Sequence, residues 1–484
     1  MRALFEPDGV IVAGASSHPG KFGFTALHNI LSCGYRGRVF ATNKEGGEIL
    51  GVRCLTDIDD VPDGAADLVM VCTPAGATEG VLRQCAAKGV RAAFVASAGY
   101  REAGGDGPAA EARLVALAAE LGMILAGPNG QGLVSTPVGL CAQIVGPYPP
   151  AGRISITSQS GNFVSSLMNY AVQTGVGVAR AISAGNAAAL GVADYLDWFG
   201  TDDATATAIA YVEHVDDGAA LQRAVARVSA RKPVVIVKGG TTEGGARAAA
   251  SHTGALASST RVFDGAMRQA GAVRVGGIEE AFDVAATFAT QPLPGGPNVV
   301  VLTTVGGWGV VTADAIDATS LRLLPLPDDL RDAIDTRLPP RWSRNNPIDC
   351  AGGETRDTVP ELLDLVSAHP AVDAVVFLGL GIQSNTARLL RAGPFYPDHG
   401  LERIVEFHER QDRRFAEAAA AASAASGKPV LTATELAVAD PANPGPTAVR
   451  ASGRLCYPSA NRAVTALDHM WRYARWRQAR GLDG

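Results

Sequence analysis

The stretch VIVAGASSHPGKFGFTALHNIL, residues 10–31, decides how the chain is read. A short apolar run ends at Ala13 and Gly14, a polar loop follows, and a helix-like segment comes after it. Gly14, Gly20 and Gly23 stand at this transition. Residues without a Cβ let main-chain N–H groups approach an anion there, and the start of a helix adds a favourable dipole. The spacing departs from GxGxxG, so the loop predicts a nucleotide-type site without NAD specificity.

The same grammar continues outward. RVFATN (38–43), DLVMVCT (67–73), AAFVASAG (92–99) and MILAGPN (123–129) are apolar runs that end in Gly, Thr, Ser or Asn, with helical patterns between them. Strand–helix alternation predicts a parallel sheet of the Rossmann-like type, whose ligands sit at the strand C-ends. The second strand ends on Asn43–Lys44, where a dinucleotide enzyme carries an acid for the ribose hydroxyls. A lysine at that edge suits a ligand with an additional phosphate, and it disfavours an NAD oxidoreductase. Thr73, Ser97 and Asn129 fall at strand ends facing the same edge.

A Pro/Gly-rich connector, GPYPPAG (146–152), closes this block, and QPLPGGPN (291–298) closes a second one built on RISITSQSG, VARAISAGN, ATAIAYVEH and PVVIVKGG. A third block begins at NVVVLTTVGG (298–307) and includes AVDAVVFLGLG and KPVLTATE. The expected fold class is therefore α/β with three parallel-sheet domains at 1–147, 148–292 and 293–484. The chain has 484 residues, too many for one ordinary core. A net charge of −6 argues against a nucleic-acid partner. No uninterrupted apolar run reaches the roughly 18 residues a membrane span requires. Seven scattered cysteines without a CxxC pair read as reduced thiols in a cytoplasmic protein, with no metal site.

Two features of the second block carry chemistry. Ser158, Gln159, Ser160, Gly161 and Asn162 place hydroxyls and main-chain N–H groups at a helix start, more polar groups than a cap requires. Downstream, KGGTTEGGARAAASHTGALASS (238–259) sets His252 among small residues, as access by a bulky charged group would demand. Glu213, at the end of an apolar strand, is the candidate to orient that imidazole, because a carboxylate on one ring nitrogen leaves the other nucleophilic. Neighbouring strand residues point to opposite faces, so His214 is read as surface.

The first-block motifs GASSHPGKFGFTALHNIL, VMVCTPAG, SAGY and AGPNGQGLV together resemble the CoA-binding domain of succinyl-CoA synthetase and the ADP-forming acyl-CoA synthetases. SQSG, YVE and the His252 segment resemble that family's catalytic region, in order and spacing. VVVLTTVGGWGVV and NPID resemble the flavodoxin-like domain that follows it, with Trp308 read as packing. The resemblance implies a Rossmann-like CoA-binding domain and two flavodoxin-like domains of the succinyl-CoA synthetase type. It implies a CoA site at Gly14, Ser16, Ser17, Lys21, Asn43, Lys44, Thr73, Ser97 and Asn129, a phosphate site at Ser158–Asn162, and a phosphohistidine at His252 stabilised by Glu213. Nothing in the chain resembles an ATP-grasp module. The implied protein is therefore an α-type ligase subunit of a hetero-oligomer, interconverting acyl-CoA, ADP and phosphate with carboxylic acid, CoA and ATP. Nucleotide and Mg²⁺ would bind an ATP-grasp partner. The rival reading is a CoA-binding regulatory or scaffold protein of the same fold without turnover. Residues 381–425 read as a lid or a contact surface.

Overall fold

The computed structural model describes residues 1–245, 247, 260–350, 352 and 356–482. They divide into two compact units, Met1–Gln173 with Gly177–Ala281, and Thr174–Val176 with Phe282–Gly484.

The first unit holds two seven-stranded sheets. The first sheet contains β1 (Gly9–Ala13), β2 (Arg38–Thr42), β3 (Glu48–Ile49), β4 (Val52–Leu55), β5 (Leu68–Val71), β6 (Ala92–Val95) and β7 (Ile124–Ala126), ordered β3-β4-β2-β1-β5-β6-β7. All pairs are parallel except the short β3–β4 hairpin. The order reverses at β1, which lies between β2 and β5, and open α/β sheets bind ligands at such a switch point. The strands are apolar throughout because both faces of such a sheet are covered: β1, β5 and β6 are buried at every position.

The second sheet contains β8 (Gly132–Ser135), β9 (Leu140–Gln143), β10 (Ala151–Ser158), β11 (Val178–Ser183), β12 (Thr207–Val212), β13 (Val234–Lys238) and β14 (Val273–Val275). Its order is β14-β13-β12-β10-β11-β8-β9. The sequence reading puts residues 132–143 in the first block. Their strands instead extend the second sheet, where β8 pairs antiparallel with both β11 and β9. One buried polar hub ties this sheet to the N-terminal helix Arg2–Phe5: the Arg180 guanidinium, 1% exposed, bonds Glu6 at 2.5 Å, Asp202 at 3.2 Å and the Ser135 hydroxyl.

In the second unit, a six-stranded parallel sheet contains β15 (Asn298–Thr303), β16 (Arg322–Leu323), β17 (Ile348–Asp349), β18 (Ala374–Leu378), β19 (Val430–Ala433) and β20 (Cys456–Tyr457). Residues 381–425 form a helical hairpin, Ile382–Arg391 and Leu401–Ser426. The inner half of the long helix is core, through Phe415, Ala416, Ala419 and Ala422. Asp412, buried on that helix, accepts from the Gly381 and Ser384 N–H groups at 3.0 and 2.6 Å, so it holds the start of the first helix. Trp308 lies half-buried in the helix Gly306–Asp317. Among the described residues, no helix is long and apolar enough to cross a membrane.

Candidate functional site

Two strand–loop–helix corners of the first unit line two cavities. The first corner follows β1. Gly14 has φ +84°, and a Cβ there would lie 2.9 Å from Thr73 Cγ2. The helix Phe22–Ser32 then returns so closely that a Cβ on Gly23 would stand 1.9 Å from the Gly14 carbonyl oxygen. Two glycines therefore bring the helix start onto the strand end, as a main-chain anion site requires.

A cavity of about 520 Å³ opens at this corner, and Gly14, Asn43, Lys44 and Thr73 line it together. Lys44 is exposed, whereas Asn43 is internally engaged. Its Oδ1 accepts from the Glu45 and Gly46 N–H groups at 2.9 and 2.7 Å, and its Nδ2 donates to the Ala15 carbonyl at 3.1 Å. Asn43 thus shapes the loop that presents Lys44. Cys72 also lines the cavity, and burial pushes its thiol up to about 12, so it stays neutral. Asp57 lines it too, with its carboxylate occupied by the Asp59 N–H and the Gln84 amide.

The other expected CoA residues are scattered. Ser16 accepts from the His18 N–H at 3.1 Å, and Ser17 and Lys21 are exposed on the loop. Ser97 donates its hydroxyl to the Thr73 carbonyl, holding the ends of β5 and β6 together. Asn129, at φ +60°, lines the second cavity instead of the first.

That second cavity, of about 560 Å³, collects Asn129, Ser160, Gly161, Asn162, Glu213 and His214, with Phe22 from the first corner. The helix Gly161–Thr174 opens onto it, seated by Val164, Leu167, Met168 and Ala171 at helical spacing. The first four N–H groups of a helix have no partner within it, so this end supplies anion donors. Two of the expected phosphate residues serve otherwise. Ser158, fully buried, donates to the Ser160 carbonyl at 2.7 Å and accepts from the Ser160 N–H at 3.0 Å. Gln159 lines the cavity, but its amide is bonded to the main chain of residues 213 and 214. Asn162 accepts from Gln131 Nε2 at 3.0 Å.

His214 requires a correction. It lines the same cavity as Glu213 and meets Asp216 Oδ1 at 2.6 Å through Nε2. The alternation argument presumes that the strand persists, but β12 ends at Val212, so residues 213 and 214 are no longer bound to opposite faces. Burial and the neighbouring Glu213 charge push the Tyr211 phenol above its ordinary range. Gln131 and Asn186 were not singled out from the sequence. Both line the second cavity: Gln131 directly follows Asn129–Gly130, and Asn186 stands three residues past the end of β11. His252 lies outside the described residues; β13 leads toward it and ends beside β12 at the Val212–Lys238 pair. Among the described residues no group of His, Cys, Asp and Glu could hold a metal ion.

Comparison with known proteins gives this geometry a family. Residues 9–135 match a CoA binding domain, 151–288 a succinyl-CoA ligase like flavodoxin domain, and 299–384 a ligase-CoA domain. Over 481 residues the chain is 31% identical to the acetate–CoA ligase (ADP-forming) I subunit alpha of Pyrococcus furiosus, covering 99% of this chain and 98% of that one. The chain belongs to the ADP-forming acyl-CoA synthetase family. This is a family of acid–thiol ligases. A second member, acetate–CoA ligase (ADP-forming) I of Archaeoglobus fulgidus, is 35% identical over 376 residues; they cover 78% of this chain but only 54% of that longer one. The fold matches a solved structure, the dinucleotide forming acetyl-coenzyme A synthetase 1 of Ca. Korarchaeum cryptofilum in complex with phosphate and ADP. The TM-score is 0.84 at 31% identity, covering 99% of this chain and 97% of that one.

Proposed function

We propose that this chain is the α-type subunit of an NDP-forming acyl-CoA ligase, working in the cytoplasm with an ATP-grasp subunit that holds the nucleotide and Mg²⁺. The observation that carries this reading is the second cavity. A helix N-terminus, a carboxylate just past the end of β12 and Phe22 at the start of the helix Phe22–Ser32 meet there, beside the strand that leads to His252. In this reading the division of labour follows the three sequence blocks, 1–147, 148–292 and 293–484.

The nucleotide end of CoA occupies the first cavity, where the glycine corner admits the pyrophosphate to main-chain N–H groups and Lys44 faces the 3′-phosphate. The thioester end reaches the second cavity, where phosphate rests against Ser160, Gly161 and Asn162. A phosphate oxygen attacks the thioester carbonyl, the C–S bond breaks, and the departing thiolate takes the phosphate proton. The acyl phosphate so formed meets His252. A neutral ring nitrogen attacks phosphorus, the carboxylate leaves, and Glu213 accepts a hydrogen bond from the other ring N–H to stabilise the cation that results. Transfer from N-phosphohistidine to ADP on the partner regenerates the imidazole. His252 carries the phosphoryl group between the two stations, and every step is reversible.

Incubation of the full chain with acetyl-CoA and radiolabelled orthophosphate tests this directly. The expected product is an acid-labile, base-stable label on His252. An unlabelled chain, under conditions in which an established ligase of this family is labelled, overturns the proposal.

A further inference from the structure

The strands β10, β12 and β13 are neighbours, and their C-terminal ends stand side by side: Ser158 pairs with Tyr211, and Val212 with Lys238. Three residues at these ends form one hydrogen-bonded cluster. Gln159 Oε1 accepts from the N–H groups of Glu213 at 2.6 Å and His214 at 3.0 Å, while its Nε2 donates to the His214 carbonyl at 3.0 Å. Lys238 Nζ donates to the Glu213 carbonyl at 2.8 Å and to the Gly239 carbonyl at 2.5 Å. Both main-chain polar groups of Glu213 are thus held by side chains. The main chain of Glu213 is fixed on both sides, by a side chain from each neighbouring strand end.

Lys238 is the unusual member. It is 6% exposed, and among the described residues no carboxylate lies in ion-pair contact with it. A buried ammonium is costly, and an apolar side chain of similar length would fill the space without that cost. Burial, reinforced by the Arg274 charge, pulls its pKa below the ordinary lysine range. The compensation it finds is two carbonyls and the Phe263 ring at 5.8 Å. Those carbonyls belong to the two segments the proposed chemistry must hold in register: Glu213, and Gly239, the first residue of the glycine-rich stretch that leads to His252. The same point is closed sterically, since a Cβ on Gly239 would lie 2.6 Å from Tyr211 Oη.

We infer that Gln159 and Lys238 are positioning residues, a main-chain clamp that holds Glu213 in register with the base of the His252 segment. The inference rests on the phosphoryl-carrier reading above, and it removes Gln159 from the set that contacts phosphate. A carboxylate that must orient an imidazole tolerates little error, because a misplacement of about 1 Å costs about a hundredfold in rate.

The test measures the rate of His252 labelling from acetyl-CoA and labelled orthophosphate, together with the phosphate concentration that gives half the maximal rate. For Lys238→Met and Gln159→Leu the rate should fall by about thirtyfold or more while the half-saturating phosphate stays within about twofold. Gln159→Glu keeps the one acceptor oxygen that serves both the Glu213 and the His214 N–H groups and loses the donor to the His214 carbonyl, so its rate should fall by less than that of Gln159→Leu, by about tenfold or less, again at unchanged half-saturation. If Gln159 instead touches phosphate, a carboxylate there repels the anion and half-saturation rises by about tenfold or more; that result overturns the clamp and leaves the carrier chemistry standing. Labelling of Lys238→Met at the wild-type rate, with its thermal unfolding unchanged, overturns it equally. A wild-type chain that takes no label overturns the carrier reading and the clamp together.

Discussion

The two corners of the first unit begin from the same pattern of strand, polar glycine loop and helix, yet they use their residues in opposite ways. At the first corner the glycines do the shaping: Gly14 and Gly23 approach so closely that no side chain fits between them, while Ser17, Lys21 and Lys44 are left exposed. At the second corner the side chains do the shaping: Ser158 folds back on Ser160, and Gln159 clamps residues 213 and 214. What remains for a ligand is open main chain with exposed side chains beside it in one case and a helix end in the other. A polar residue beside a glycine turn is therefore not by itself a ligand donor; its role depends on whether a neighbouring strand ends at the same level with main chain to satisfy.

The largest expected effect lies at the second corner, where covalent chemistry is proposed. His252→Asn should lower phosphate labelling by at least about a thousandfold, because the nucleophile is gone. Glu213→Gln should lower it by roughly a hundredfold and leave CoA binding at the first corner unchanged, since only the orienting carboxylate is lost. Labelling kinetics and CoA titration on the same samples check both. The glycines come next. Gly23→Ala puts a methyl group into main chain, 1.9 Å from the Gly14 oxygen, and should cost about 1–3 kcal/mol of stability and weaken CoA binding. Gly161→Ala meets the side chain of Gln131, at 2.3 Å, which can turn away, as main chain cannot, at the loss of two hydrogen bonds, one donated to Asn162 and one accepted from Ser165, about 0.5–1.5 kcal/mol each. Denaturant midpoints should rank the two in that order; the reverse ranking would mean that the corners are built alike.

Much of this was legible beforehand, and the misses share a cause. The main strands of the first two sheets announce themselves as apolar runs that end in Gly, Ser, Thr or Asn, because a parallel strand covered on both faces has no polar side to show. The antiparallel edge β8–β9 does not, since GLVS and LCAQ are too short to reveal which sheet they join. Gly132 comes so close to β9 that a Cβ there would meet the Ala142 oxygen at 2.3 Å, and that approach is visible only once the strands are paired. Asn43 and Gln159 were right as positions on a strand-end edge, but their amides answer to main chain several residues or a whole strand away. His214 was misjudged for a narrower reason: alternation holds only while a strand lasts, and β12 stops one residue before Glu213.

A smaller effect tests the exposed corner. Lys44→Ala should weaken CoA by about tenfold and leave 3′-dephospho-CoA unchanged, because a charge-assisted hydrogen bond is worth more than a neutral one only when its phosphate is present. Titration of both ligands separates this from general damage to the loop, which would weaken both alike.

The smallest effect concerns pH and the buried clamp. Lys238 has a folded-state pKa below its unfolded value, chiefly through burial, with the Arg274 charge adding to it and Glu213 opposing. The unfolded chain then binds this proton more tightly than the folded one, so stability rises with pH between the depressed folded value and the ordinary lysine range. At lower pH both states are protonated, and the cost of burying the ammonium is present in full. Lys238→Met removes the titrating group, so the variant should lack this rise while following the wild type elsewhere. Denaturant unfolding at several pH values above neutrality checks it. A rise retained in the Met variant would place the titrating group elsewhere, which the two bonds from Lys238 to carbonyls and its 6% exposure argue against.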